Sequence, residues 1–262
     1  MAGVVLGAGA GSRLHPLSGL RPKVLCPVAN RPLIDWAIDR VTEVTGAVAV
    51  NVHAKPDAMT RHLQGRVELS YESTALGTAG AIGNLRDWLG GRDALIVNGD
   101  TWAPIGLQPL LDGWDGERVR VMVAGSDPLH GRSRIVGSLL PWIIAAGISA
   151  EPAGLWERVW RAALAEGRLE TVNAVGPFVD CATPADYLAA NLAALRLGTG
   201  SSTLLGRYAV VHASVQDAVI GDGAVVESRL ERCVLWPGAR VPRNAPLTDA
   251  IVAEDRVIIL VR

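Results

Sequence analysis

The chain has 262 residues, 49% of them hydrophobic, a net charge of −1 and a pI near 6.5. That length carries one large α/β domain plus a small appendage, and that charge balance excludes a dedicated polyanion binder. Three scattered cysteines (Cys26, Cys181, Cys233) form no C-x-x-C pair, and the start MAGVVLGAGAG lacks the charged n-region of a signal peptide, so a cytoplasmic protein is expected. Residues 3–6 predict a short buried parallel strand. Leu33, Trp36, Ala37, Val41 and Val44 have helical spacing over 32–45. A strand at 47–52, a short helix from Pro56 to about Gln64 and a strand at 67–72 follow. Then come a helix at 78–89 and a strand at 94–100 that ends in an acid. Residues 107–113 predict a short helix, 118–124 a strand and 154–167 an amphipathic helix. Residues 168–182 read as strands. Thr183 caps a helix that runs to about Leu197, with Pro184 at its first position and Asp186 in its first turn. The apolar run 134–150 is interrupted by Gly137, Pro141 and Gly147 and is too short for a membrane span.

This alternation implies a doubly wound, mostly parallel (Rossmann-like) α/β sheet, whose ligands bind beyond the carboxyl ends of the strands. The glycine loop after residue 6 and Asp100 both fall there. GTGSS (198–202) reads as a linker between a catalytic domain, 1–198, and a tail, 199–262. In the tail, aliphatics recur every five or six residues, from Val215 through Ile220 and Val225 to Val252 and Val257, with Gly221, Gly223 and Gly238 between. That is a hexapeptide-repeat pattern and predicts two to three coils, of roughly 18 residues each, of a left-handed parallel β-helix. An ordinary antiparallel sheet with glycine turns is the alternative.

Gly7, Gly9 and Gly11 let the backbone approach a ligand and turn amide N–H groups toward a phosphate. A dinucleotide fingerprint needs G-x-G-x-x-G and an acid closing the second strand; here the spacing is G-x-G-x-G and that strand ends Asn51-Val52-His53. No G-K-[ST] makes a P-loop. Arg13 follows the loop at once, and Lys23 sits in a Pro-bracketed segment. Lys23 and Lys55 are the only lysines, against 23 arginines, which raises the chance that Lys23 is needed as lysine. Cations around a phosphoryl centre stabilise an in-line displacement. His53 is expected to be structural, Cys181 a buried small residue, and the tryptophans mostly core or interface.

Leu6-Gly7-Ala8-Gly9-Ala10-Gly11-Ser12-Arg13-Leu14-His15-Pro16-Leu17-Ser18, then Pro22-Lys23-Val24-Leu25 and Pro27-Val28, resemble the signature of the sugar-1-phosphate nucleotidylyltransferases. LGTAGAI (76–82), VNGD (97–100) and FVDCATPADYLAAN (178–191) extend the resemblance in order, closest to a mannose-1-phosphate guanylyltransferase-like branch with a hexapeptide-repeat tail. The resemblance implies Mg²⁺-dependent transfer of a nucleotidyl group from an NTP to a sugar 1-phosphate, with Arg13, Lys23 and Asp100 catalytic and Asp100 and Asp180 on the metal. Leu6, Gly7, Ala8, Gly9, Gly11, Ser12, Arg13, Lys23, Glu72, Gly77 and Thr78 would bind the nucleotide. Glu72, an acceptor, suits the adjacent N1–H and N2–H₂ donors of guanine, so GTP is favoured over thymidylyl or uridylyl donors.

The family's Glu-Lys-Pro block is missing, since no lysine follows Lys55, and Ala182 stands where glycine is usual. Arg134 (or Arg132) is expected to replace the missing cation, and Gly147 to lie at the sugar phosphate. A cyclitol phosphate is an alternative acceptor, and a non-catalytic NDP-sugar-binding regulator or a NAD(P) oxidoreductase an alternative function. The tail is expected to support a homo-oligomer.

Overall fold

A computed structural model describes residues 1–125, 128–198, 202–254 and 257–261. The chain forms two compact units that interleave in sequence: 1–10 with 34–178, and 11–33 with 179–262. The division does not run at the expected 198–202 linker, of which 199–201 lie outside the described residues. Instead, residues 11–33 and the helix that starts at Pro184 group with the tail.

The first unit holds a seven-stranded sheet. Its strands are β1 (Ala2–Leu6), β2 (Val48–Val52), β3 (Glu68–Tyr71), β4 (Ala94–Asn98), β5 (Val119–Ala124), β6 (Ile135–Leu140) and β7 (Leu169–Ala174). Their spatial order is β7-β5-β6-β4-β1-β2-β3. All neighbours pair in parallel except β6, which is antiparallel to both β4 and β5. The helices are α1 (Leu33–Thr42), α2 (Pro56–Leu63) and α3 (Gly77–Asn84), and a π-helical turn, Trp156–Trp160, runs into α4 (Arg161–Ala165). One face of the sheet, with Val4, Ile96 and Val121, packs on Ala79 and Ile82 of α3 and on Val159 and Trp160. Each such fully buried aliphatic contributes roughly 1.5–3 kcal/mol.

The helix expected over 78–89 breaks at Leu85, and the one expected over 154–167 opens as the π turn. The glycines of α3 explain its position. A Cβ on Gly80 or Gly83 would collide with the carbonyl oxygen of Glu151 or Ser149, and one on Gly77 (φ +68°) would stand 2.6 Å from Ala153 O. Glycine every third residue therefore makes a flat seam for the backbone of 149–153, closed by Ala79 N–H to Ala153 O at 2.9 Å.

The antiparallel β6 overturns one expectation. Ile135 starts at the carboxyl edge of the sheet, but Leu140 ends opposite Ala94, at the other edge. Gly147 comes after the short turn Trp142–Ala145, on that far side, beside Ile144, Arg158 and Arg168. It does not reach the edge where Leu6 and Asn98 end.

In the second unit, α5 (Pro184–Gly198) opens with a reciprocal cap. Thr183 N–H donates to Asp186 Oδ2 at 3.0 Å, and Asp186 N–H donates to Thr183 Oγ1 at 3.2 Å. The tail strands β8 (Thr203–Leu205), β9 (Ala218–Ile220), β10 (Leu230–Leu235) and β11 (Leu247–Val252) pair in parallel in that order; β12 (Ile258–Leu260) closes the sheet antiparallel. Val210, Val225 and Arg240 form a second parallel ladder. Parallel pairing of consecutive segments rules out the hairpin alternative for 203–252. Thr203 faces Ala218, Val219 faces Val234 and Ala250 faces Cys233, so the repeat steps by 15 to 17 residues, shorter than the expected 18. Corners repeat with it: Tyr208, Gly223 and Gly238 share positive φ (58°, 65°, 73°), as do Asp217, Arg232 and Asp249 (50°, 49°, 50°).

Candidate functional site

In the first unit, strand ends and short bridges position the predicted residues. Gly7 N–H donates to Asn51 Oδ1 at 2.7 Å, Asn51 Nδ2–H donates to Glu72 Oε1 at 2.7 Å, and Leu76 N–H donates to Glu72 Oε2 at 3.0 Å. Asn51 and Glu72 are buried. This chain of bonds ties the glycine loop to the start of α3, which carries Gly77 and Thr78. Glu72 is thereby a fixed carboxylate with one protein donor on each oxygen. Thr78 Oγ1 accepts from Leu155 N–H at 2.8 Å. The His53 ring Nδ1 hydrogen-bonds Glu72 O at 3.0 Å.

Asn51 was not legible as a site residue. Its signal was a single amide in the otherwise apolar, wholly buried strand VAVNV, where an unpaired polar group would cost about 1–3 kcal/mol.

Asp100 follows β4 at the same sheet edge. Gly99 N–H donates to Leu6 O at 2.9 Å, and a Cβ on Gly99 would stand 2.8 Å from that oxygen. Only glycine lets the two strand ends close up and deliver Asp100 there. Leu6, Gly7 and Ala8 are buried or half-buried, whereas Gly9 is exposed. Beyond β5, His130, Arg132, Ser133 and Arg134 line an open pocket of about 260 Å³ against Val123 and Ala124. The Arg134 guanidinium lies 5.8 Å from the Phe178 ring centre. A β-bulge between Met122 and Val123 shifts the β5–β6 register at this point, a device that re-aims side chains at sheet rims.

The second unit holds the rest of the predicted set. Ser12–Leu14 is a 3₁₀ turn with Ser12 and Arg13 exposed. Lys23 is only 5% exposed, and its Nζ donates to Asp180 Oδ1 at 3.2 Å, while the Asp180 side chain is 49% exposed. Gly11 has φ +64°, and a Cβ there would stand 2.8 Å from Lys23 Cβ, so the loop needs glycine on conformational and steric grounds.

Residues far along the chain brace the lysine segment. Tyr187 O–H donates to Pro27 O, and Trp236 Nε1–H donates to Tyr187 Oη at 2.9 Å. Burial pushes the Tyr187 phenol well up, so it stays a neutral donor. Ala29 N–H donates to Asn191 Oδ1 at 3.0 Å, and Asn30 Nδ2–H donates to Ile220 O at 2.8 Å. The Arg21 guanidinium lies 4.3 Å over the Trp236 ring and pairs with Glu254. Cys26, Cys181 and Cys233 are buried thiols.

Residues 2–125 match the family described as nucleotidyl transferase. Over 96% of this chain and 86% of the relative, identity is 25% to a probable mannose-1-phosphate guanylyltransferase 3 of Oryza sativa subsp. japonica. An N-acetylmuramate alpha-1-phosphate uridylyltransferase of Caulobacter vibrioides is 35% identical over 45% of this chain and 54% of its own length. Among solved structures, a putative glucose-1-phosphate thymidylyltransferase from Bacillus anthracis, crystallised with a sucrose, shares the fold at TM-score 0.65 and 18% identity, covering 77% of this chain and 98% of that one.

Proposed function

We propose that the chain, whose residues 2–125 match the nucleotidyl transferase family, transfers a nucleotidyl group, GMP favoured, from an NTP to a sugar 1-phosphate. A phosphate oxygen of the acceptor attacks the α-phosphorus as the bond to the pyrophosphate oxygen breaks. The products are an NDP-sugar and pyrophosphate. An ionised phosphate is already a nucleophile, so the protein's task is positioning and charge neutralisation. The observation that carries this reading is Lys23: one of two lysines, buried, paired with Asp180 and packed under Gly11 of the signature loop. Arg13, exposed on the next turn, is the second cation for the triphosphate.

Asp100 and Asp180 fit Mg²⁺ by donor chemistry. Both are hard oxygen ligands, Asp180 is half-exposed, and among the described residues no group of three metal-ligating side chains offers a protein cage. Mg²⁺ usually takes one or two carboxylates with substrate phosphates and water. When bound it would neutralise phosphate charge and orient the leaving group. Glu72, fixed by Asn51 and Leu76 N–H, supports guanine because a carboxylate offers acceptors only. Arg134, with Arg132 and His130, supplies the acceptor-phosphate cation that the absent Glu-Lys-Pro lysine would have given. The parallel ladders and repeated corners support reading the tail as a short left-handed parallel β-helix that also offers an oligomer contact. Among the described residues no helix is long and apolar enough to cross a membrane, and we assign the activity to the NTP-rich cytoplasm.

Pyrophosphate release with Mg²⁺, each of the four NTPs and a panel of sugar 1-phosphates tests the reading. Turnover is expected with GTP and a hexose 1-phosphate. Preference for UTP or dTTP would overturn the guanine assignment, and absence of release with every pair would overturn the activity.

A further inference from the structure

A chamber of about 210 Å³ lies within the first unit, between the carboxyl edge of the sheet and the π turn. An engineered apolar cavity of ~150 Å³ holds benzene, so a substituted six-membered ring fits this volume. Leu6, Ile135 and Trp156 give it apolar walls, and Asn98 and Glu157 add polar ones. Ser138 lines it further in, at the register step shared with Ile96 and Val121.

Three features separate this chamber from an ordinary packing gap. Ser138 Oγ and Trp160 Nε1 belong to lining residues, are buried, and have no hydrogen-bond partner among the described residues; such orphans are rare in proteins. The wall is π-helical, a conformation concentrated at functional sites. Charge is also segregated along one turn. Gly131 and Ile135 line the chamber, whereas His130, Arg132, Ser133 and Arg134 line the cationic pocket. Among the described residues no Lys, Arg or His lines the chamber, and Glu157 is the one charged residue in its lining.

We infer that the chamber holds the ring of the acceptor and that Glu157 makes it select rings bearing hydroxyl or amino groups against rings bearing a carboxylate. This rests on the function proposed above. The acceptor's phosphate then lies on the arginine side of the 130–135 turn and its ring on the glutamate side. The Glu157 carboxylate accepts from ring O–H or N–H groups and repels a second anion. Trp156, whose indole lies against Gly131, contributes a flat apolar wall suited to ring C–H groups. Gly154 leaves room for the Glu157 carboxylate, because a Cβ there would displace Glu157 Oε2.

The test compares glucose, glucosamine and glucuronate 1-phosphates with Mg²⁺ and whichever of the four NTPs gives the fastest turnover, reading kcat/KM from pyrophosphate release. A parallel titration reads tryptophan fluorescence with each sugar phosphate and no nucleotide. Glucuronate 1-phosphate is expected to be at least about 100-fold poorer than glucose 1-phosphate, and glucosamine 1-phosphate no poorer. Glu157→Gln should shrink the glucose-to-glucuronate ratio by about tenfold or more, and Gly154→Ala should shrink it without removing the charge. Equal use of glucuronate 1-phosphate, or an unchanged ratio in Glu157→Gln, overturns the inference. If none of the three sugar phosphates releases pyrophosphate with any NTP, fluorescence decides the chamber separately from the proposed activity. A response to glucose 1-phosphate but not to glucuronate 1-phosphate supports it; equal responses, or none, overturn it.

Discussion

The glycine-rich signature is divided between the two units, and its two parts are held by different means. Leu6–Ala10 belongs to the first unit, where a parallel strand, a 2.9 Å bond from Gly99 and the Asn51–Glu72 bridge fix it at a sheet edge. Gly11–Leu33 belongs to the second unit and has little regular structure beyond short turns and a two-residue strand pair. Its order comes from side chains more than 150 residues downstream: Tyr187, Asn191 and Trp236. One part is as rigid as the core beside it. The other is as rigid as its braces, so damage far from Lys23 should reach Lys23.

Substitution at Lys23 sharpens this contrast most. Lys23→Ala should lower kcat about 10²–10³-fold, the scale of losing one preorganised charge stabiliser, read from pyrophosphate release. Lys23→Arg should not restore it, because a buried point charge on Asp180 Oδ1 leaves no room for a planar fork. Next is Trp236. Trp236→Ala should cost about 3–5 kcal/mol in urea denaturation, since the residue is fully buried. Trp236→Phe, which deletes mainly the bond to Tyr187, should cost about 1–3 kcal/mol and lower kcat. An unchanged kcat in a folded Trp236→Phe protein would break the link between brace and lysine.

On the other side of the comparison, Asn51→Ala should destabilise by about 1–3 kcal/mol through the orphaned Gly7 N–H and a loosened Glu72. Its kinetic mark should be a raised KM for the NTP and weaker discrimination between GTP and UTP. The smallest effect concerns pH. Burial works to raise the Asp35 carboxyl, but hydrogen bonds and charge from His62 and Arg66 outweigh it and hold it below the usual carboxylate range. A folded value below the unfolded one makes a stabilisation that is complete above about pH 5 and is lost as pH falls through the folded value. Asp35→Asn should flatten that part of the acid denaturation profile.

Much of both units could be read in advance because local rules set it. Short apolar runs became β1, β2, β4 and β5, and the Thr183–Asp186 pair became the expected helix cap. The five- and six-residue spacing of the tail became parallel ladders. LGTAGAI reads as a ligand-contacting motif, yet its Gly77 and Gly80, with Gly83 just after it, serve a backbone seam that depends on residues 149–153, about seventy positions away. The position of Gly147 depends on the antiparallel β6, a direction that the pattern of 134–150 does not encode.

The sequence by itself determined the elements, the signature loop with its glycines, and which cation was scarce, because periodicity, turn chemistry and composition act over a few residues. Tertiary structure decided that Lys23 is buried on Asp180, that Asn51 bridges Gly7 to Glu72, and that a chamber with Glu157 in its lining adjoins a turn of arginines. These depend on strand direction and on side chains meeting across long loops, where no local preference specifies the partner.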